Sequence, residues 1–311
     1  MEKEMDLGYK VEKITLQDDE FGKNEATLLG RKANTKSTKA VLYVHGVVDY
    51  FFQYHFADWI VDQDWNFYAI DLRKYGRSIM DHHKPNMIKD LRHYFDEIDE
   101  AIKVIKERDK NETLVLIGHS TGGLISSLYA HYNRNTGEVD GLILNSPFFE
   151  FNKPAWFRKV VLPLVAKIGL KFPNIPSPEG LQEGYAKSIH KDFYGDWDFD
   201  LRLKPVKGFD VNFGWIAAIY FAQRNVQDGL DIHCPVLVLY SSKSVPPGKF
   251  TEEMLTADSV LNVKHIEAHA DMLGSNVRKV EIEGGLHDLV LSKESARTQT
   301  FEEMAAFLSN Y

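Results

Sequence analysis

Cysteine is almost missing from this chain of 311 residues: Cys234 stands alone. One cysteine closes no internal disulfide and builds no thiolate cage for zinc, so a disulfide scaffold is excluded and a reducing, cytoplasmic setting is expected. Long apolar runs are missing too. Each is broken before the roughly 18 residues that a membrane-spanning helix takes. The opening residues, Met1-Glu2-Lys3-Glu4-Met5-Asp6, carry too much charge for a secretory signal. Lysine and arginine form no long cluster, and 37 basic against 45 acidic side chains leave a formal net charge of −8. That balance predicts a soluble protein with no nucleic-acid partner and no integral membrane segment.

What is there suits a large globular core: 44% of the residues are hydrophobic, with no internal repeat and no low-complexity tract. Short, near-continuous apolar runs recur at Val41–Val44, Phe67–Ile70, Leu114–Ile117, Leu142–Leu144 and Val236–Tyr240. Such runs are expected of parallel strands covered on both faces. Residues 277–283 alternate more and read as a later strand, and 10–16 with 24–30 read as a leading antiparallel hairpin. Between the strands, Ile88, Leu91, Phe95, Ile98, Ile102 and Ile105 step by three and four, the mark of one long amphipathic helix, with Asn86 as its cap. Similar steps at Ile266, Ala270 and Leu273, and at Phe301, Met304 and Leu308, predict two more helices.

One stretch breaks this rhythm. Residues 147–230 are far longer than the two to six residues usual for such a connection, and they hold 16 of the 38 aromatic residues and 7 of the 11 prolines. They predict an inserted cap, including Trp156, Phe157, Trp197, Trp215 and Tyr220, over a core made of 1–146 and 231–311.

The chemistry begins at Gly118-His119-Ser120-Thr121-Gly122-Gly123, which follows an apolar strand and leads into small and apolar residues suited to a helix. A serine in Gly-x-Ser-x-Gly on so tight a turn projects its hydroxyl above the sheet, and the glycines allow strand and helix to approach closely. A serine hydroxyl is a weak nucleophile at neutral pH unless a base takes its proton. His287, in Gly284-Gly285-Leu286-His287-Asp288 after the last strand, is the histidine placed for that task. An acid must orient it, and the loop directly after Tyr240 offers none. Asp258, further along the same connection, is the candidate, ahead of Glu252 and Glu253. The order Ser, Asp, His is the one expected on this framework. The loop His45-Gly46-Val47 after the first central strand is expected to supply one backbone N–H to an oxyanion, from Val47, and the helix start the other, from Thr121.

These residues resemble the α/β-hydrolase superfamily, in its monoglyceride lipase, lysophospholipase and serine aminopeptidase-like branch. The resemblance rests on His45-Gly46, on Asp71-Leu72-Arg73-Lys74-Tyr75-Gly76-Arg77-Ser78, on the serine motif, on Asn145-Ser146-Pro147 and on the Gly284–Asp288 motif. It implies an α/β fold with a mostly parallel eight-stranded sheet, helices on both faces and the cap inserted between the sixth and seventh strands. It implies Ser120 as nucleophile, Asp258 as acid, His287 as base, and Val47 and Thr121 as oxyanion donors. Two departures stand out: Lys74 replaces a usual glycine, and an insertion from about Ser241 to Ala257 pushes the acid late. Both are expected near the site entrance.

No cofactor is expected, because no phosphate-binding loop follows a strand. No metal is expected either: His82-His83 beside Asp81, and His265 with His269, lack a third ligand at a suitable spacing. Cys234, before Pro235 at a strand start, reads as buried rather than reactive. The expected activity is cleavage of small-molecule esters with an apolar acyl group, such as a monoacylglycerol or lysophospholipid, and transient lipid contact through the cap is compatible with it. An aminopeptidase with the same triad is the alternative, its substrate's amino group held by Asp192, Asp196, Asp198 or Asp200. A noncatalytic receptor on the same scaffold ranks below both.

Overall fold

A computed structural model describes residues 2–178 and 180–311. Its strands are β1 (Lys10–Asp19), β2 (Gly22–Arg31), β3 (Lys39–Val44), β4 (Asn66–Asp71), β5 (Thr113–His119), β6 (Gly141–Asn145), β7 (Val236–Ser241) and β8 (Val277–Ile282). Among the described residues they form one sheet in the order β1-β2-β4-β3-β5-β6-β7-β8. The expected hairpin is β1 with β2, antiparallel from Lys10 opposite Gly30 to Leu16 opposite Asn24, and β2 meets β4 antiparallel. All pairs from β4 across to β8 are parallel. This is the mostly parallel eight-stranded α/β architecture that the apolar runs and the family resemblance predict.

Helices α1 (Glu2–Asp6), α2 (Tyr54–Asp62), α3 (Phe95–Ile102), α4 (Thr121–Tyr132), α5 (Leu162–Lys171), α6 (Glu183–Ile189), α7 (Phe213–Asp228), α8 (Val263–Ala270) and α9 (Glu294–Leu308) surround it. Side chains alternate across a strand, so each central strand feeds two cores. Leu42, Leu116, Leu144 and Val238 face Ile98, Leu128, Ile219 and Ile266, from α3, α4, α7 and α8. Tyr43, Ile117, Ile143 and Leu239 face Phe56, Ile60, Met304 and Leu308, from α2 and α9. Strand β8 lies at the edge with only part of its surface covered, which accounts for its alternation.

The long helix differs from expectation at its start. Asn86 adopts a left-handed turn, φ +63°, which short polar side chains tolerate better than most. The first helical turn opens instead at Leu91, where the Asp90 carboxylate accepts the Arg92 N–H at 2.9 Å. Asn86 follows a proline and precedes four further non-helical residues, so it serves the turn and not the helix. Residues 147–230, between β6 and β7, hold α5, α6 and α7. Of these, α7 buries Trp215, Ala218, Ile219, Ala222 and Val226 in the same core as α4, and α5 lies along α7.

Candidate active site

Register brings the pieces of the site together. Val44 at the end of β3 pairs with Gly118, His119 pairs with Asn145, and Asn145 with Leu239. The carboxyl ends of β3, β5, β6 and β7 thus form one rim, the usual place for a ligand in an open α/β sheet.

Ser120 sits on this rim with φ +52° and ψ −115°, a strained conformation for a residue with a Cβ. The strain persists because its surroundings fix it. Its N–H donates to the Asn145 carbonyl at 3.0 Å, and its own carbonyl accepts from Gly123, Leu124 and Phe148. The flanking glycines are required by contact: a Cβ on Gly118 would lie 2.6 Å from the Gly122 oxygen, and one on Gly122 would lie 2.1 Å from the Val44 oxygen.

The structure brings Ser120, His287 and Asp258 into one line. His287 Nε2 is 3.0 Å from Ser120 Oγ, and His287 Nδ1 is 2.9 Å from Asp258 Oδ2. Since the carboxylate can only accept, Nδ1 carries the proton and Nε2 is left free to accept from the serine. The other oxygen, Asp258 Oδ1, accepts the N–H groups of Val260 and Leu261, both at 2.8 Å. All three side chains are buried. Glu252 and Glu253 lie on an exposed turn away from this line. The His287 loop is itself held from below: Asp288 accepts from Asn145 Nδ2 at 2.7 Å and from Gln53 Nε2 at 3.0 Å, and Leu289 N–H donates to Asn145 Oδ1. The supporting roles of Asn145 and Gln53 are absent from the sequence reading; Asn145 lies in a quoted motif, but nothing local marks Gln53.

Val47 and Thr121 flank the serine. Gly46 packs so near that a Cβ there would be 3.1 Å from the Ser120 Cβ. Among the described residues, neither the Val47 nor the Thr121 backbone N–H donates to another group. His45 fixes this turn: Nδ1 donates to the Gly46 carbonyl at 2.7 Å while Nε2 accepts from Leu72 N–H at 3.0 Å. Burial pushes its pKa down, in keeping with a neutral ring.

Above these three side chains lies a cavity of about 410 Å³. Phe148, Phe151, Phe157, Val161, Val165, Trp215 and Ile216 give it an apolar wall, and Asp49, His119, Lys204 and Tyr185 border its polar end with Ser120 and His287. The rings of His119 and Tyr185 pack on His287 at 5.0 and 5.3 Å.

Other expected sites fall elsewhere. Lys74 does not stand at the entrance: its buried ammonium pairs with Asp19 and lies over the Phe21 ring, beside the β1–β2 turn, with the backbone at φ +67°. The long loop after β7 does reach the cavity, through Pro247 and Gly248. Asp192, Asp196 and Asp198 are exposed and Asp200 pairs with Arg202, so none borders the cavity. His265 and His269 both face Glu150, at 3.6 and 3.3 Å, and Arg158 also pairs with it. Among the described residues no group of three or more such side chains is arranged to hold a metal ion. Cys234 is half-buried, and burial pushes its thiol pKa up to about 11.

A family model described as serine aminopeptidase, S33, matches residues 35–245. The chain belongs to that family. The match spans the serine motif and ends before Asp258 and His287, so the pairing of those two residues rests on the geometry above. No curated protein is significantly similar in sequence. Solved structures share the fold of this serine aminopeptidase family member at low identity. Monoglyceride lipase of Saccharomyces cerevisiae aligns with a TM-score of 0.71 and 16% identity over 96% of this chain and 94% of that one. Monoacylglycerol lipase of Paleococcus ferrophilus gives 0.66 and 16% over 97% and 99%. A carboxyl esterase of Bacillus coagulans gives 0.65 and 14% over 96% and 98%. The α/β-hydrolase fold expected from the motifs is therefore the fold of this chain. No helix among the described residues is long and apolar enough to cross a membrane.

Proposed function

We propose that the protein hydrolyses carboxylic esters with an apolar acyl group through a Ser120 acyl-enzyme. The observation that carries this reading is the hydrogen-bonded line Ser120–His287–Asp258 on the floor of an apolar cavity.

In the first half-reaction Ser120 Oγ bonds to the acyl carbon as its proton passes to His287 Nε2. The carbonyl oxygen takes up negative charge opposite the free N–H groups of Val47 and Thr121, and two such donors aimed at developing charge matter by about 10² to 10³ in rate each. The bond to the alcohol then breaks, and His287 returns the proton to the departing oxygen. Water repeats the sequence: its proton goes to His287, its oxygen bonds to the acyl carbon, and Ser120 leaves with the proton. Asp258 stabilises the imidazolium in both steps. No cofactor takes part.

Residues 147–230 form the cap in this reading. The stretch from Lys153 to Phe172 carries five basic and no acidic residues in a chain of net charge −8. It exposes Trp156, Val160, Leu164, Leu170 and Phe172, while Phe157, Val161 and Val165 line the cavity. Exposed apolar residues interspersed in sequence with basic ones favour transient contact with a lipid surface, which would deliver a monoacylglycerol or lysophospholipid to the mouth.

The family name favours a second reading, an aminopeptidase. Among the described residues, however, Asp49 is the sole carboxylate bordering the cavity, and Lys204 already neutralises it. Among the described residues, a substrate's ammonium would find no free counter-charge. Turnover of nitrophenyl esters from two to twelve carbons, compared with amino-acid anilides, separates the readings: ester cleavage at least a hundredfold faster is expected, and faster anilide cleavage would sink the ester assignment.

A further inference from the structure

The loop that carries the first oxyanion donor is fastened to a segment of the cap. Asp49 and Lys204 are 155 positions apart in the chain, and both are buried, yet Lys204 Nζ donates to Asp49 Oδ1 at 2.7 Å. One residue on, the Asp200 N–H donates to the Tyr50 hydroxyl at 2.7 Å. The rings of Phe52 and Phe199 lie 4.8 Å apart, and the Lys204 ammonium sits over both, at 5.5 and 5.7 Å. So the stretch 49–52 meets 199–204 through an ion pair, a hydrogen bond and a tilted ring contact. Just before it, Val48 holds φ +47°, a conformation that a β-branched residue adopts only when its neighbours impose it.

The ion pair is an odd choice for stability alone. A buried pair often contributes no more than apolar side chains of the same volume, and the surroundings here are aromatic. Its burial is deep enough that Asp49 alone would be pushed toward the neutral form, and the Lys204 ammonium reverses this and holds the carboxyl well below the usual range. What the pair does achieve is geometric. It anchors a side chain two residues beyond Val47, on the far side of the strained Val48.

Resting on the ester-hydrolase reading, we propose that Lys204 is a positioning residue: through Asp49 it fixes the turn that presents the Val47 N–H to the oxyanion. The segment 199–204 is then a fixed strut of the active site and not a moving part of the cap. Removing it leaves the triad in place and loosens a donor that acts in the transition state more than on the bound ester.

The test uses the full chain and its variants Lys204→Met, Asp49→Asn, the double variant, and Lys191→Met as a control on an exposed lysine earlier in the cap. Two rates are read for each: kcat and KM on a short nitrophenyl ester, and the rate at which a fluorophosphonate labels Ser120. Thermal melting checks that each is folded. Lys204→Met is expected to lower kcat at least tenfold with KM within threefold, and to slow labelling in step. The double variant is expected to lie within threefold of the slower single one, because the two residues act as one unit, while Lys191→Met stays at the wild-type rate. If Lys204→Met does not fold, Asp49→Asn decides, since it keeps the shape but not the charge; a kcat loss of fivefold or more is expected. Wild-type kcat in the folded variants, a change in KM alone, or single losses that multiply would each overturn the proposal. A wild-type protein that neither labels nor cleaves esters would instead remove the ester-hydrolase reading and this proposal with it.

Discussion

Ser244 and Asp258 pair directly in a parallel bridge, so residues 245–257 leave the end of β7 and return to it. The bridge is reinforced by Val245 N–H to the Asp258 carbonyl and Asp258 N–H to the Lys243 carbonyl. In space Asp258 therefore follows β7 at once, although in sequence it comes late.

From this follows the behaviour of Asp258→Asn. The amide oxygen can still accept from Val260 and Leu261, so the fold and melting temperature should hold. His287, however, loses the partner that fixes its tautomer, and kcat should fall by about 10³ to 10⁴. Glu252→Gln and Glu253→Gln should stay within twofold of wild type. Ester kinetics on the three variants check this, and a larger loss in either glutamate variant would contradict it.

Asn145→Leu tests the support beneath His287. Among the described residues, buried Asp288 would keep only the Gln53 hydrogen bond, and a buried carboxylate short of a donor costs about 2–3 kcal/mol. Chemical denaturation should show that loss, with a drop in kcat because His287 immediately precedes Asp288 in the chain.

Gly122→Ala would press a methyl group to 2.1 Å from the Val44 oxygen and 2.4 Å from that of His45. Backbone atoms at the heart of the sheet cannot yield, so a loss above about 4 kcal/mol, or no folded protein, is expected. At Gly137, where φ is +71° and nothing lies within 4 Å, the same change should cost only about 1 kcal/mol. Melting curves of the two variants check the contrast.

Stability in acid should report on Glu4. Burial alone would raise its pKa, but favourable contacts, foremost the hydrogen bond and charge of Arg77, more than reverse this, and it falls from 4.5 to about 2. A lowered folded-state pKa gives stability that is present above pH 4.5 and lost as pH falls toward 2. Glu4→Gln should flatten that part of the pH profile, and an unchanged slope would contradict the assignment.

The sheet is legible in the sequence because its centre is covered on both faces, which turns each central strand into an apolar run such as Val236–Tyr240. Helix α2 is not announced that way: Phe56, Ala57, Ile60 and Val61 carry its buried face in only nine residues, and Asp and Gln replace the usual stop signals. The elbow serine and the loop histidine were legible because each follows a strand. Asp258 was legible by chain order, though the bridge that places it was not. Lys204 and Gln53 give no local sign, since their partners lie 155 and 235 positions away, and long-range polar pairing leaves no periodicity to read.

The central claim is that Ser120 is the nucleophile of an ester hydrolase. Mass spectrometry after exposure to a fluorophosphonate ester tests it most directly, with Ser120→Ala alongside and hydrolysis of acyl esters measured on both. A single adduct on Ser120, none on the alanine variant, and ester turnover lost with the label are expected. An unlabelled wild-type protein, or an adduct on another residue with turnover intact in Ser120→Ala, would contradict it.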